Sequence, residues 1–426
     1  MAPRYLRHYW SDNAGVTRTK VEINGGVKSS GVGLALADQA QCMSHRSVPM
    51  GSGIGSVGDI RLIPDRETFV EVPHLKNTYR VIGDMFRNGT PWDLCPRNYL
   101  KEAVLRAAQN GFTIRAAFEP EFYLLKLVEG KYQPIDNGLY GDAGTLSGIS
   151  EWIDTNVISL EGQNVFPEIF HHESGPGQYE MSLRHADPIK AADDFLIARD
   201  TIKSISKQLG ITATFCPKPL KEEIGNGLHL NISIWKQDVS NVPSVHCDQK
   251  LSANALHFLS GVINNFDAVI ALTCPSSNSY KRLQSSSWSG ASKHWDYEDR
   301  SAAIRIPRSG ISPITHMEFR AIDATANPYL ALGGIINLGI AGLVGKHEPL
   351  DAGVVFGKLS SFNESMKKLE GSLLHTKSID SNLFTAYQAV RNSNLFTAYQ
   401  AVRKSDYAYC KKLPTSQEEK LFIERY

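Results

Sequence analysis

The chain carries almost no net charge: 45 lysines and arginines stand against 44 aspartates and glutamates, a formal +1. Without a basic excess there is no electrostatic case for nucleic acid or an anionic membrane as partner. Cysteine is also scarce, with six in 426 residues. Cys42, Cys95, Cys216, Cys247, Cys274 and Cys410 are scattered, form no C-x-x-C pair and build no dense framework. They read as reduced thiols of a cytosolic protein. No apolar run reaches the roughly 18 residues a membrane span needs. The start, M-A-P-R-Y-L-R-H-Y-W, has no apolar stretch of a secretory signal. These absences predict a soluble, cytoplasmic chain.

What is present begins with size. At 426 residues, with 42% apolar and 21% charged side chains, the chain exceeds one ordinary core. Two domains, or one large α+β domain, are expected. Residues 1–92 are rich in glycine and include the loop-like run G-S-G-I-G-S-V-G from Gly51 to Gly58. The segments I-R-L-I-P-D and T-F-V-E-V-P that follow read as short strands bounded by proline, so a small separate α+β domain is predicted there. From residue 93 helical signals take over. One helix starts at Pro96 and stops at Gly111, and a longer one runs from Asp187-Pro188 to Gly210. The second has Ile189, Ala192, Phe195, Ile202, Ile205 and Leu209 near a 3.6-residue period. A third is expected over roughly Leu251–Leu272 and a fourth after Asn327-Pro328. Near the end, S-N-L-F-T-A-Y-Q-A-V-R occurs twice, at Ser381–Arg391 and Ser393–Arg403. Two copies are too few for a solenoid, so a local duplication lengthening a helical hairpin, or an artefact of the gene model, is the reading.

Four short segments carry the chemistry, and each reads as a strand. They are Ile114–Leu124, Gln178–Leu183, Leu228–Ile234 and Met317–Ile322. Side chains alternate between faces with period two, so Glu119 and Glu121 share a face. So do Gln178, Glu180 and Ser182, then His229, Asn231 and Ser233, then Glu318 and Arg320. With Glu173 added, five glutamates and one histidine on one sheet face call for divalent cations. Oxygen-rich sites of this kind suit Mg²⁺ or Mn²⁺ better than a structural zinc. Taken singly, each of these residues is an ordinary solvated strand face or a hydrogen-bonded core histidine. Their joint occurrence on four strands carries the argument.

At these motifs the chain resembles the glutamine synthetase superfamily. The blocks are F-E-P-E-F-Y-L, E-S-G-P-G-Q-Y-E, A-T-F-C-P-K-P, G-N-G-L-H-L-N-I-S, N-S-Y-K-R-L, R-S-A-A-I-R-I-P and E-F-R-A-I-D-A-T-A-N-P-Y-L, in the family's order. The resemblance implies an α+β protein. A β-grasp-like N-terminal domain would cover residues 1–92, and a catalytic domain with a curved antiparallel sheet and outer helices residues 93–426. It implies homo-oligomeric rings, commonly dodecamers, with active sites between neighbouring subunits. Carried over residue by residue, it puts Glu121, Glu173 and Glu180 on one metal and Glu119, His229 and Glu318 on another. Two or three Mg²⁺ or Mn²⁺ ions would thus accompany ATP. Arg300 and Arg305 match arginines around the nucleotide phosphates, with Asn231 and Ser233 as further nucleotide contacts. Arg282, Arg320 and Gly225 match the glutamate side. The implied reaction phosphorylates glutamate's γ-carboxylate from ATP and then lets an amine displace phosphate. Arg300, Arg305 and Arg320 would be its catalytic arginines.

The sequence also departs from that pattern. Glutamine-forming members bind ammonium with an Asp that opens a D-G-S-S loop and a Glu in a flap after the glutamate-binding arginine. Here the loop reads M-G-S-G from Met50, and Trp288 stands at the flap position. Loss of two anions removes a cation's Coulomb partners and offers an organic amine an apolar wall. Met50 as loop packing and Trp288 as flap packing are the plainer readings. Ile224, Asn231 and His316 differ from common family residues as well. The expectation is a glutamate–amine ligase using an amine other than ammonia. The alternatives are true glutamine synthesis, with Asp296, Glu298 or Asp299 supplying the missing charge, and a non-catalytic ring-forming scaffold. His171 and His172 receive no role at this stage.

Overall fold

The computed structural model describes residues 3–236, 249–284, 288–308, 313–357, 359–374 and 394–426. Its N-terminal part holds β1 (Tyr5–Ser11), β2 (Thr17–Ile23), β3 (Val32–Ala35), β4 (Asp59–Pro64), β5 (Val70–Glu71), β6 (Thr78–Arg87) and β7 (Thr90–Pro91). These make one mixed sheet of order β2-β1-β6-β4-β3, with β5 and β7 also on β6. β1 runs antiparallel to β2 and parallel to β6. The predicted strand I-R-L-I-P-D is β4, whereas T-F-V-E-V-P shrinks to the two residues of β5. Among the described residues up to 92 the only helical turns are two 3₁₀ turns, Leu36–Gln39 and Arg66–Thr68. The sheet is not closed on itself either. Trp10, Leu34, Leu62 and Met85 share one core with Leu272, Leu330, Phe396 and Tyr399 from the other end of the chain.

The second sheet has nine strands: β8 (Phe112–Val128), β9 (Lys131–Pro134), β10 (Pro167–His172), β11 (Gln178–Leu183), β12 (Thr212–Thr214), β13 (Leu228–Lys236), β14 (Ser292–Tyr297), β15 (Ala302–Ile306) and β16 (Met317–Phe319). Their order is β10-β11-β8-β13-β16-β15-β14, and β9 and β12 also pair with β8. β8 is long enough to serve two neighbourhoods. Its first half pairs with β13, from Phe112 opposite Lys236 to Pro120 opposite Leu228, and its centre pairs with β11. Because the apolar residues alternate with the polar ones, Phe118, Phe122, Leu228, Leu230 and Ile232 face the main core. Helices Pro96–Gln109, Pro188–Gln208 and Pro328–Val344 close over that face. Each begins with proline at its first turn, where the missing N–H costs nothing.

Two expectations change in detail. The stretch expected as one helix over 251–272 is two, Ala253–Asn264 and Phe266–Thr273, bent by 77°. Asn265 leaves helical geometry and donates its side-chain amide back to Gly261 O at 2.9 Å. After the bend the helix lies between two cores: Val269 and Ile270 face the main one, Ala271 and Leu272 the N-terminal one. The fourth expected strand ends at Phe319, although Arg320 N still donates to Ala303 O at 2.9 Å. The first copy of the duplicated segment, Ser381–Arg391, lies outside the described residues. The second, from Asn394, is in helix Asn394–Cys410, where Leu395, Phe396, Tyr399 and Val402 are buried. Cys42, Cys95, Cys216, Cys274 and Cys410 are free thiols, and Cys247 lies outside the described residues. Among the described residues no single helix is long and apolar enough to cross a membrane.

Candidate active site

Strand register places the acidic residues side by side. Glu119 on β8 is directly opposite His229 on β13, and Glu121 on β8 is opposite Glu180 on β11. Glu318 on β16 faces Asn231 on one side and Arg305 of β15 on the other. Five strands therefore deliver their reactive residues to one patch, as alternation along each strand anticipates. His229 is at its centre. Its Nδ1 lies 3.6 Å from Glu318, 3.7 Å from Glu180 and 4.0 Å from Glu119, and its Nε2 lies 3.5 Å from Glu121. Glu173, just past β10, stands beside this group through His171, whose Nε2 is 3.0 Å from Glu173 and 3.8 Å from Glu180.

The electrostatics of this patch are those of too many like charges out of water. Burial, then repulsion by Glu173, raises the Glu121 carboxyl to about 7. Burial pushes Glu180 well up too, reinforced by Glu121, Glu119, Glu173 and Glu318, and Glu119 is raised by burial and by Glu318. His229 goes the other way. Burial first, then Arg320, Arg282, Arg300 and Arg305, hold it well below its ordinary value, so it is a neutral imidazole with a lone pair to offer. The donor set suits a hard divalent cation: carboxylate oxygens and one neutral imidazole converge at separations longer than a hydrogen bond. Ligands at about 2.0–2.3 Å from a shared ion stand roughly 3–4 Å apart. Glu119, Glu180 and His229 form one such group, and His171, Glu173 and Glu180 form a second.

Arginines frame the cluster. Glu318 accepts from Arg305 Nη1 at 2.8 Å and from Arg320 Nη1. The Nε of Arg305 is buried without a hydrogen-bond partner, a donor left for a ligand to meet. Arg320 is a hub, because its Nε donates to Arg300 O and its Nη2 to Trp288 O, both at 3.0 Å. Arg282 is buried beneath it and donates to Ile322 O and Arg320 O, each at 3.2 Å. The Arg300 side chain is exposed. Gly225 packs against Arg282 and accepts a hydrogen bond from Gln178 at 3.1 Å. Asn231 lies within the cluster and donates to Glu119. Ser233 falls further along β13, opposite Arg115, where its Oγ accepts from Trp235 Nε1.

The expected acceptor-side residues Met50 and Trp288 lie at the surface, as does Ile224, next to Gly225 on the expected glutamate side. Met50 is fully exposed, Trp288 is 73% exposed and Ile224 is 48% exposed. Only Trp288 is tied to the cluster, through its carbonyl on Arg320. The three alternative acids have other partners. Asp299 holds His294 at 3.0 Å and the Ser301 hydroxyl, Asp296 accepts from Tyr297 N, and Glu298 pairs with Arg308. His316 bonds Thr315 and is lowered by burial, with Arg305 adding to the effect.

Sequence reasoning missed three contributors. His171 sits two residues from Glu173, on the same side of an extended segment, and that spacing was the available signal. Gln178, read as sharing the face of Glu180 but given no role, donates to Glu121 at 3.4 Å and to Asn226 at 2.9 Å. Gly227 donates its N–H to Glu121 at 2.8 Å, and any Cβ there would sit 2.8 Å from both His229 Nε2 and Arg282 Nη2. The absence of a side chain keeps the space in front of the cluster open.

With this geometry in place, comparison with known proteins is informative. The family model described as glutamine synthetase, catalytic domain, matches residues 93–420. A glutamine synthetase from Pyrococcus abyssi (strain GE5 / Orsay) is 35% identical over 306 residues, 71% of this chain and 68% of its own length. The crystal structure of a novel glutamine synthase homolog is 26% identical with a TM-score of 0.85, covering 100% of this chain and 99% of that one. Apo GmaS shares the fold at 24% identity and a TM-score of 0.81, covering 98% and 96%. Five of the blocks that carry the resemblance lie on or lead into the strands that the sheet register gathers around His229, and the chain belongs to the glutamine synthetase family of ATP-dependent ligases that join carbon to nitrogen.

Proposed function

We propose that the protein joins the γ-carboxylate of glutamate to an organic amine at the expense of ATP. Residues 93–426 form the catalytic unit and residues 1–92 a β-grasp-like N-terminal unit, a division supported by the two separate sheets. Two or three Mg²⁺ or Mn²⁺ ions are held by Glu121, Glu173 and Glu180 and by Glu119, His229 and Glu318. When bound, such ions would supply positive charge to neutralise the terminal phosphates of the nucleotide. Arg300 and Arg305 take the nucleotide phosphates, for which a planar, permanently charged guanidinium is suited. Asn231 and Ser233 extend the nucleotide side. Arg282, Arg320 and Gly225 define the glutamate side.

The chemistry needs two steps. A carboxylate resists amines because its leaving group is oxide. Attack of the γ-carboxylate oxygen on the γ-phosphorus of ATP breaks the bond to ADP and gives a γ-glutamyl phosphate. The amine nitrogen then attacks the carbonyl carbon, phosphate leaves and the nitrogen loses a proton. The arginines supply charge held in place before the reaction, and Gly227 N–H fixes Glu121; such preorganisation is where most catalysis of this type resides.

The observation that carries the choice of amine is the Arg320–Trp288 link. It anchors the backbone of Trp288, whose side chain is exposed, beside the arginine cluster, and Asp296, Glu298 and Asp299 are engaged elsewhere. Such a rim suits an amine with an apolar body. Ammonia as the acceptor is the second reading, favoured by relatives that are glutamine synthetases. A ring-forming scaffold without activity has less support, since buried carboxylates are costly to keep without a cation. The active form in this reading is a homo-oligomeric ring. The test is ADP release with glutamate, ATP and Mg²⁺ or Mn²⁺ across ammonium and a panel of organic amines. Turnover with an organic amine where ammonium gives none supports the proposal, and robust turnover with ammonium overturns it.

A further inference from the structure

His171 stands outside the six expected ligands, yet its position repeats that of His229. His229 on β13 lies in direct cross-strand register with Glu119 on β8. On the other flank of the sheet, His171 on β10 lies in direct register with Glu180 on β11. Each histidine then leans toward carboxylates beyond its own partner, His229 toward Glu121 and Glu318, and His171 toward Glu173. Nε2 of His171, Glu173 and Glu180 offer donor atoms that all lie within 4.8 Å of one another, as do Glu119, Glu180 and His229. Glu180 is common to both groups, so two cations placed there would share a carboxylate.

Two features argue that the His171 ring is placed for this and is not a surface side chain making a chance contact. It is half-buried, and the Tyr140 ring packs edge-on against it with centroids 5.4 Å apart. The Tyr140 loop is itself pinned. Asp136 accepts from Gly138 N and Gly177 N, each at 3.0 Å, pairs with His172 Nε2 at 2.8 Å and bonds the Tyr179 hydroxyl. His172 thus ties down the loop that backs its neighbour. Adjacent histidines on one strand point to opposite faces, one inward to the structure and one to the cluster.

We propose that His171 is a direct nitrogen ligand of the divalent cation held by Glu173 and Glu180, so that each of two cation positions is built on a register-matched His–Glu pair. The proposal rests on the carboxylate cluster being the metal centre, and its test separates the two. The intact protein is loaded with Mn²⁺, without nucleotide or amine, after growth with ¹⁴N- or ¹⁵N-labelled histidine, and electron spin-echo modulation counts the imidazole nitrogens on manganese. Two inequivalent imidazoles are expected. His171→Ala should leave one and weaken one class of Mn²⁺ sites by about tenfold or more, read by isothermal titration. A single imidazole in the unaltered protein, lost on His229→Ala, overturns the role of His171 while leaving the metal centre standing. No Mn²⁺ binding at all overturns both. Because the decisive count is made on the unaltered protein, a variant that misfolds does not shield the proposal.

Discussion

The buried face of the nine-stranded sheet and the exposed rim around Trp288 differ in how much of each one chain specifies. On the sheet face, Glu121, Glu180, His229 and Glu318 are buried, fixed by strand register and pressed together at 3.5–3.7 Å around His229. At the rim, Trp288 is exposed and meets the cluster through its carbonyl, and Met50, in the N-terminal part, is fully exposed. In the proposed function, phosphoryl chemistry belongs to the rigid sheet face, and acceptor choice to exposed side chains that can vary without disturbing the fold. A family can keep its first step and change its nucleophile.

This contrast can be broken from the cluster outward. The largest effect is expected from Glu180→Gln, because Glu180 belongs to both donor groups. Mn²⁺ affinity should fall by about 100-fold and turnover by about 10³-fold. The metal-free protein should melt no lower than the parent, since a carboxylate held up by burial and by its neighbours has been removed. Unchanged Mn²⁺ binding by titration calorimetry would break the comparison at its base.

Next comes Arg320→Gln, which removes the hub joining Glu318, Arg300 O and Trp288 O. Its kcat/KM should drop about 10²–10³-fold while Mn²⁺ affinity stays within a few-fold. Equal loss of both quantities would show that cluster and rim are one unit.

The pH dependence of metal binding gives a third test. Glu121 is raised to about 7 and Glu180 and Glu119 are raised too, so below that pH the cluster holds protons that a cation must displace. His229, being lowered, is already neutral and releases none. Mn²⁺ affinity should fall as pH drops below 7, by about tenfold per unit for each proton displaced. Calorimetry in buffers of different ionisation enthalpy counts those protons, and affinity flat between pH 5.5 and 7.5 would contradict the assignment.

The smallest effects belong to the rim. Trp288→Ala should change stability by less than about 0.5 kcal/mol, because the side chain is 73% exposed. It should lower the preference for an organic amine over ammonium by about tenfold, read as a ratio of kcat/KM values. Met50→Asp should move that ratio least. A large effect of Met50→Asp would place the loop in an active site that a second subunit completes.

Much of this was legible before the fold. The alternation in F-E-P-E-F-Y-L and L-H-L-N-I-S-I put Glu119, Glu121 and His229 on one face, and the proline starts at Pro96, Pro188 and Pro328 open the helices as read. The bend at Asn265 was not legible, because apolar positions continue on both sides of it and only packing shows that the second half is shared between two cores. Nor was the approach of His171 to Glu180, which depends on how β10 pairs with β11.

The sequence by itself determined which residues share a strand face, because the two-residue period is a property of the backbone alone. It also determined the family, through the order of its blocks. Only the tertiary structure decided which faces meet. Register between β8, β11, β13 and β16 is set by burial of the opposite, apolar face, where a slip of one residue would turn every glutamate to the wrong side. That packing brings His229 within 3.5 Å of Glu121, 108 positions earlier in the chain (229 − 121), and sets the exposed indole of Trp288 on the rim.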